Sequence, residues 1–223
     1  MIVVIQCAAR KRHDAGHLRT PDGRPIMFVA NPAAAPVGDG FKYARPDDPS
    51  HADGRSWRDV LEAYNSHSGK NPLGLLPAWQ HYANRTYGFL AKHEFLGLDR
   101  LFILSAGWGL IPASFLTPNY DITFSKAKNV QPFKRRRQQD SYRDFCMLPS
   151  SVLDPIVFLG GKDYIRLVCD LTADSGRDRT VFYAGREPAA PGCTLCSFGK
   201  PYTNWHYQCA KALLEGRSPL GKV

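Results

Sequence analysis

The sequence predicts an α/β fold in which a parallel sheet is sandwiched by helices. Four apolar runs have the length and composition of buried strands, and a hydrophobic content of 43% over 223 residues is enough for a core. Most of these runs end in small or polar residues and precede segments with helical spacing, as parallel strands do. The runs are 2–5, 101–104, 155–159 and 180–184.

Helices are predicted at 57–65, at 75–96, after Gly161, and in a C-terminal segment that runs to Leu214. In 75–96, apolar side chains recur at intervals of three and four residues, which is typical of a helix with one buried face. Pro77 suits a first helical turn and Gly97 suits the end of a helix.

The chain is predicted to form a single domain over 1–223, with a long Pro/Gly-rich insertion at about 13–56. Within the insertion, 26–30 resembles a short strand that forms a hairpin with neighbouring residues. Residues 31–56 are expected to form a long loop, and loops of this length are usually functional or mobile.

Charge, hydrophobicity and cysteine content indicate which kinds of partner and which cellular compartment to expect. The formal net charge of +9 favours a polyanionic partner, most simply nucleic acid. No run approaches the roughly 18 apolar residues of a membrane span, so no membrane partner is expected. The N-terminus lacks the charged start of a signal peptide, which favours a cytoplasmic protein whose six cysteines are thiols or metal ligands.

Polar and small residues follow the strands at the positions where parallel sheets hold ligands. We therefore predict that a pocket is lined by residues from three such strand ends and from the segment after Pro112. Two alternatives stay open, namely a tight turn with Trp108 in the core and a solvated basic turn after the first strand. The predicted pocket residues are Gln6, Cys7, Arg10, Ser105, Gly107, Trp108, Tyr120, Asp121, Gly161 and Lys162.

The densest positive charge lies at 126–143, a segment that contains seven Lys and Arg residues and one acidic residue, Asp140. Such clusters neutralise phosphates and make binding dependent on salt, and three interleaved aromatic residues favour a nucleic-acid surface. A solvated helix face is the alternative. The predicted contacts to the nucleic-acid backbone are Lys134, Arg135, Arg136, Arg137 and, further along the chain, Lys200.

Four residues near the C-terminus have spacings compatible with a structural zinc site. Cys193 and Cys196 are separated by two residues, and His206 and Cys209 are three apart on one face of the predicted helix. Buried thiols with a polar His206 in the pocket, or a redox pair of cysteines, are the alternatives that the spacing leaves open.

Three segments resemble known families. Residues 103–110 with Asn119-Tyr120-Asp121 resemble the signature of a bacterial family related to the YaaA peroxide-stress proteins, with Trp108 and Asn119 as departures from it. Residues 157–161 and 185–206 are similar to the last two strands and terminal loop of the uracil-DNA glycosylase superfamily. The segment from Cys196 to Tyr202 resembles the core motif of archaeosine synthase, although Trp205 and Gln208 stand where Ser and His are expected.

These resemblances imply a uracil-DNA-glycosylase-like fold and an enzyme acting on nucleic-acid bases. The leading hypothesis is a DNA glycosylase that excises a modified base and leaves an abasic site. The substrate would be double-stranded DNA with a flipped base, or single-stranded DNA, and the chemistry needs no cofactor. Similarity to phage-defence glycosylases makes hypermodified phage bases, and hence antiviral defence, the first case to test.

Under this hypothesis, Asp121 supplies the catalytic carboxylate, because the loop after the first strand contains no acid, and Gln6 orients a water molecule. Trp108 or Tyr120 stacks on the base, and a structural helix cap is the alternative for Asp121. A non-enzymatic DNA-binding stress protein and an RNA base-modifying transferase that uses Lys200 remain alternatives. The remaining predicted substrate contacts are Tyr202, Asn204 and His206.

Overall fold

The computed structural model describes residues 1–50, 54–67, 69–150, 153–200 and 202–217. Its main element is a seven-stranded, mostly parallel sheet. The strands are β1 (Ile2–Gln6), β5 (Leu101–Ser105), β6 (Gly109–Pro112), β9 (Phe145–Cys146), β10 (Ile156–Leu159), β11 (Arg179–Tyr183) and β12 (Thr194–Ser197). Their order in the sheet is β12-β11-β10-β1-β5-β6-β9. The prediction of an α/β fold built on a mainly parallel sheet is confirmed.

The three central strands β10, β1 and β5 form the core of the sheet. Their side chains are almost entirely buried, which explains why their sequences are continuous apolar runs rather than alternating ones. Val4 of β1 aligns with Phe158 of β10 on one side and with Phe102 of β5 on the other. The pairing of β5 with β6 is antiparallel, because the turn at 106–108 is too short for a crossover, and β9 runs parallel to β6.

In the described ranges, five α-helices accompany the sheet: α1 (Trp57–Ser66), α2 (Ala78–His81), α3 (Arg85–Ala91), α4 (Lys162–Thr172) and α5 (Trp205–Leu214). The start of α1 is fixed by a capping box, in which the Ser56 hydroxyl accepts from the Asp59 amide and the Asp59 carboxylate accepts from the Ser56 amide. Helix α5 packs on β10 and β11. Among the described residues, no helix is long and apolar enough to cross a membrane.

The predicted helix at 75–96 is wrong as a single element. Its first residues, Leu76–Pro77, form strand β4, which pairs with β7 (Leu116–Thr117). The chain then leaves helix α2 at Tyr82 because Tyr82 and Ala83 pair with the loop that follows β1. Asn84 restarts the helix as the cap of α3, its side chain accepting from the Thr86 amide.

The insertion predicted at 13–56 contains regular structure. Strand β2 (Ile26–Val29) pairs in parallel with β3 (Lys42–Ala44) and with β8 (Tyr120–Asp121), giving a three-stranded sheet. An isolated bridge between Arg19 and Pro25 forms the local hairpin. The expected long loop at 31–56 was therefore wrong, since β3 lies within it. Through β8, this small sheet brings the insertion against the segment that follows β6.

Two buried arginines hold the turn between β5 and β6. Arg58 of α1 donates to the carbonyls of Gly107 (3.1 Å) and Trp108 (3.0 Å), and its Nε lies 2.7 Å from Asp47 Oδ1. Arg136 donates to the Ala106 carbonyl at 2.8 Å and pairs with Asp144. The turn therefore depends on two buried ion pairs. Removing one member of a buried ion pair leaves the other charge unpaired inside the protein and strongly destabilises the fold.

We predict that Arg58→Met destabilises the fold by about 3 to 5 kcal/mol, because Asp47 loses its buried counter-ion and the carbonyls of Gly107 and Trp108 each lose a hydrogen bond from the guanidinium. The measurement is urea unfolding followed by circular dichroism. Arg166→Met is the matched control, since the Arg166–Asp170 pair is solvent-exposed and its loss should cost less than about 1 kcal/mol. Equal losses in the two variants would contradict a structural role of Arg58.

Candidate functional site

The strand order locates the point where a ligand is expected. The five parallel strands lie in the order β5-β1-β10-β11-β12, so the chain moves to one side of β1 first and then to the other. Open α/β sheets bind ligands at such a reversal, beyond the carboxyl ends of the strands. In this protein, the reversal lies between Gln6 at the end of β1 and Gly160-Gly161 after β10.

Gln6 bridges the two strand ends at this point. Its Oε1 accepts a hydrogen bond from the Gly161 amide at 2.6 Å, and its Nε2 lies 3.4 Å from Nε2 of His206. A Cβ on Gly160 would come within 2.4 Å of the Phe158 ring, so only glycine allows this approach. Gln6, Gly161 and His206, which were predicted as site residues from distant parts of the chain, are thus brought together.

Tyrosine hydroxyls surround the same edge. Tyr120 shares hydrogen bonds with Ser105 (2.9 Å) and Tyr82 (2.7 Å). Tyr87 donates to the Gln6 carbonyl at 2.7 Å and lies 3.3 Å from the Tyr207 hydroxyl. Burial raises the pKa of Tyr120 well above its ordinary value, so this phenol stays protonated at neutral pH.

Cys7 lies within this cluster, directly after β1. Its Sγ is 3.2 Å from the hydroxyl of Tyr164 in α4, and both side chains are buried. Burial also raises the pKa of Tyr164 well above its ordinary value. Cys7 therefore faces a neutral phenol, and the first strand end is tied to α4 as well as to β10.

A cavity of about 250 Å³ opens beside these tyrosines and is lined in part by Arg10, Lys11, Tyr120 and Asp121. The Nζ of Lys11 lies 4.3 Å from the centroid of the Tyr120 ring. The Asp121 carboxylate is 39% exposed, and its Oδ2 lies 2.7 Å from Nζ of Lys134. Asp121 belongs to strand β8, so it does not cap a helix, and the structural alternative for this residue is wrong.

The turn after β5 was predicted to be open and to bind a ligand, but in the structure it is buried. Trp108 has no exposed surface and packs edge-on against Phe28, with ring centroids 5.1 Å apart, so it lies in the core. A Cβ on Gly107 would lie 3.2 Å from the Tyr120 ring, which fills the space predicted for a ligand. Ser105 is also buried, and its hydroxyl accepts from the Gly107 and Trp108 amides while pairing with Tyr120.

The C-terminal site residues lie at a second cavity of about 530 Å³. Tyr202 and Asn204 line it together with Arg85 and Tyr207. Asn204 has a left-handed backbone (φ 65°), a conformation that asparagine tolerates better than most residues. Lys162 and Lys200 lie outside these contacts, with exposed side chains at the start of α4 and after β12.

The basic run 134–137 was predicted as one phosphate-binding surface, and the structure divides it. Lys134 pairs with Asp121, while Arg135 donates to the carbonyls of Ser125, Ala127 and Val130. Arg136 is buried and paired, as described above, so its predicted contact with a nucleic-acid backbone is wrong. Of the four, Arg137 has the exposed side chain that such a contact needs.

The predicted zinc ligands do not converge in the described part of the chain, where no group of three His, Cys, Asp or Glu side chains is placed to hold a metal. Cys193 Sγ faces Cys169 Sγ at 3.7 Å, and His206 faces Gln6. Burial raises the pKa of Cys209 far above its ordinary value, which opposes the thiolate that zinc needs. The described side chains are thus not gathered as a zinc site requires, and structural zinc stays a prediction.

Sequence reasoning missed Lys11 and four of the clustered tyrosines. Lys11 stands between two arginines, so composition gave no sign that the middle cation alone points inward. Tyr82 falls within the predicted helix at 75–96, on the face whose side chains were expected to be buried in the core. The signal that could have found them is the surplus of hydroxyl-bearing aromatic residues among the buried positions, each of which needs a polar partner. The missed tyrosines are Tyr82, Tyr87, Tyr164 and Tyr207.

Together, the sheet and its edge define an open-sheet α/β protein with a polar, tyrosine-rich site at the strands' carboxyl ends. A scan of protein-family models, a search of curated proteins and a search of solved structures found no match to this chain.

The buried His206 predicts a pH dependence of stability. Burial lowers the pKa of His206 to about 4, whereas an unfolded histidine has a pKa of about 6.5. The stability from the neutral ring is therefore fully present above pH 6.5 and is lost as the pH falls from 6.5 toward 4, by at most about 1.4 kcal/mol per pH unit.

In His206→Gln, the decrease in unfolding free energy between pH 7 and pH 5 should be smaller than in the wild type by about 1 to 2 kcal/mol. Urea titrations at the two pH values measure it. His13→Gln removes an exposed histidine and is the control that should keep the wild-type slope. A wild-type slope in His206→Gln would mean that the ring accepts a proton in the folded state.

Proposed function

We propose that the protein is a DNA glycosylase that hydrolyses the bond between deoxyribose and a modified base, leaving an abasic site. The observation that carries this proposal is the Asp121 carboxylate at a cavity of about 250 Å³ whose other walls include Lys11, Tyr120 and Arg10. Cleavage of an N-glycosidic bond passes through a cationic, oxocarbenium-like state, which a nearby carboxylate stabilises.

The balance of charge around Asp121 fits this role. Its carboxylate is partly exposed, so it can meet a substrate, and Lys134 fixes one oxygen at 2.7 Å. The exposed cation Arg10 lies at the same cavity, and Arg137 lies outside it. Exposed cations of this kind bind phosphates, and a cavity this small admits a base only after the nucleotide has been flipped out of a duplex.

Tyr120, rather than Trp108, is the aromatic residue that we assign to contact with the flipped nucleotide. Both rings are buried, but Tyr120 lines the wall of the cavity and Trp108 does not. Gln6 becomes a positioning residue in this proposal. Its amide oxygen is occupied by the Gly161 amide, and its Nε2 faces His206, so the side chain fixes the junction of β1 and β10.

The uracil-DNA-glycosylase-like form of the fold is part of the proposal. It is supported by a parallel sheet whose strand order reverses at β1 and by the glycine pair that ends β10. The segment after β12 lies beside the same edge, since His206 reaches Gln6. Hypermodified phage DNA is the substrate class that we would test first, and action in antiviral defence would follow from it.

We predict that Asp121→Asn keeps its fold and its affinity for DNA but loses base excision by at least about a hundredfold, because the amide lacks the charge that stabilises the cationic state. Asparagine can still accept the hydrogen bond from Lys134. The assay incubates the protein with unmodified DNA and with phage-modified DNA and counts abasic sites with an aldehyde-reactive probe. Melting temperature and DNA affinity are measured on the same preparations.

Asp170→Asn is the matched control, because it also removes an ion-paired carboxylate but lies on helix α4 with both partners exposed. It should excise at the wild-type rate. Near wild-type excision by Asp121→Asn would contradict the assigned role of the carboxylate. Binding without abasic sites in the wild type would favour the non-enzymatic DNA-binding protein, and modification of RNA would favour the transferase.

A further inference from the structure

Lys11 differs from every other lysine in the described part of the chain, because it alone is buried. It is the middle residue of three consecutive cations, and its neighbours Arg10 and Arg12 are exposed. The inward direction is fixed by the backbone, since Lys11 forms an antiparallel bridge with Tyr82. The loop after β1 therefore places one amine inside the protein and two guanidinium groups outside.

The Lys11 amine meets an aromatic ring instead of a carboxylate. Its Nζ lies 4.3 Å from the centroid of the Tyr120 ring, and within the described ranges it has no hydrogen bond or ion pair. The neighbouring carboxylate, Asp121, is paired with Lys134 at 2.7 Å. A buried lysine without a counter-ion is costly to keep charged, and such lysines often serve as nucleophiles.

The groups that face Lys11 act on its protonation in opposite directions. Burial lowers the pKa of Lys11, and Lys134 lowers it further, whereas Cys7 and Asp121 raise it, with burial the largest effect. Desolvation beside a second cation is a recognised way to keep an amine neutral and reactive near neutral pH. Each unit by which the pKa is lowered raises the neutral fraction about tenfold at a pH below it.

We propose that Lys11 is an amine nucleophile that forms a Schiff base with the C1′ aldehyde of an abasic deoxyribose and thereby cleaves the strand. This second, lyase activity rests on the proposed function only for the supply of the abasic site. Lys11 and Asp121 line the same cavity of about 250 Å³, so the product of base removal is formed beside the amine.

The chemistry uses no oxidant or reductant. The neutral amine attacks C1′ of the ring-opened sugar, one water molecule is lost, and the imine that forms takes up a proton from solvent. The Asp121 carboxylate then removes a proton from C2′, and the electron pair forms the C2′–C3′ double bond while the C3′–O bond breaks. The leaving group is the downstream strand, which carries a 5′-phosphate. Water hydrolyses the unsaturated imine and returns Lys11 as a free amine, while the imine proton and the proton held by Asp121 pass back to solvent.

Borohydride trapping on a duplex with one preformed abasic site tests this proposal. Hydride from borohydride reduces the imine to a stable amine, which joins protein and DNA covalently. We expect a one-to-one adduct from the wild-type protein, and peptide mass spectrometry should map it to Lys11. Lys11→Arg, which keeps the positive charge but forms no imine, and Lys11→Met should both lower the adduct yield at least tenfold. Lys92→Met changes an exposed lysine on the chain after α3 and should trap like the wild type.

Mapping on the wild-type protein keeps the test valid even if a Lys11 variant fails to fold. An adduct on another lysine or on the N-terminal amine would overturn the proposal, and so would the absence of any adduct. Because the abasic site is supplied, the result does not depend on base excision. Excision without trapping would leave the proposed function intact and remove the role of Lys11. Trapping without excision would support the role of Lys11 and contradict the proposed function.

Discussion

Burial of five tyrosine hydroxyls at one edge of the sheet is the constraint on which the rest of the site depends. A buried hydroxyl without a partner costs about 1 to 3 kcal/mol, so each of these groups must meet another polar atom. Tyr120 meets this requirement by joining Ser105 to Tyr82, and its ring then occupies the space beside Gly107 and covers Lys11. The small sheet containing β8 is thereby held against the central sheet.

The cost of burying polar groups also distinguishes the charged residues that hold the fold together from those that could bind a ligand. Arg58 and Arg136 are buried with carbonyls and carboxylates that neutralise them, so they hold the turn between β5 and β6. Lys11 is buried without such partners among the described residues, and Asp121 is half-exposed beside a cavity. Groups whose charge is not fully satisfied are the ones that can gain from a ligand, and in this protein they lie together.

The sequence was sufficient for strands β1, β5 and β10, because their burial on both faces makes them continuous apolar runs, but β6, β9 and β12 were not predicted. The N-terminal turn of α1 was equally readable from Ser56 and Asp59. The interruption of the predicted helix at Tyr82 could not be read, because it results from pairing with Lys11 about seventy residues earlier in the chain. For the same reason, a run of four cations gave no sign that Arg136 is buried, since its partner carbonyl at Ala106 is set by tertiary structure.

We propose that DNA binds at the carboxyl edge formed by the loop after β1 and by strand β8. Hydrogen–deuterium exchange, with and without a duplex that contains a stable abasic-site analogue, measures this most directly. We expect slower exchange in peptides covering 7–14 and 117–125, with no change in peptides covering 173–179 at the amino end of β11. Protection at 173–179 instead, or no protection at saturating DNA, would contradict it.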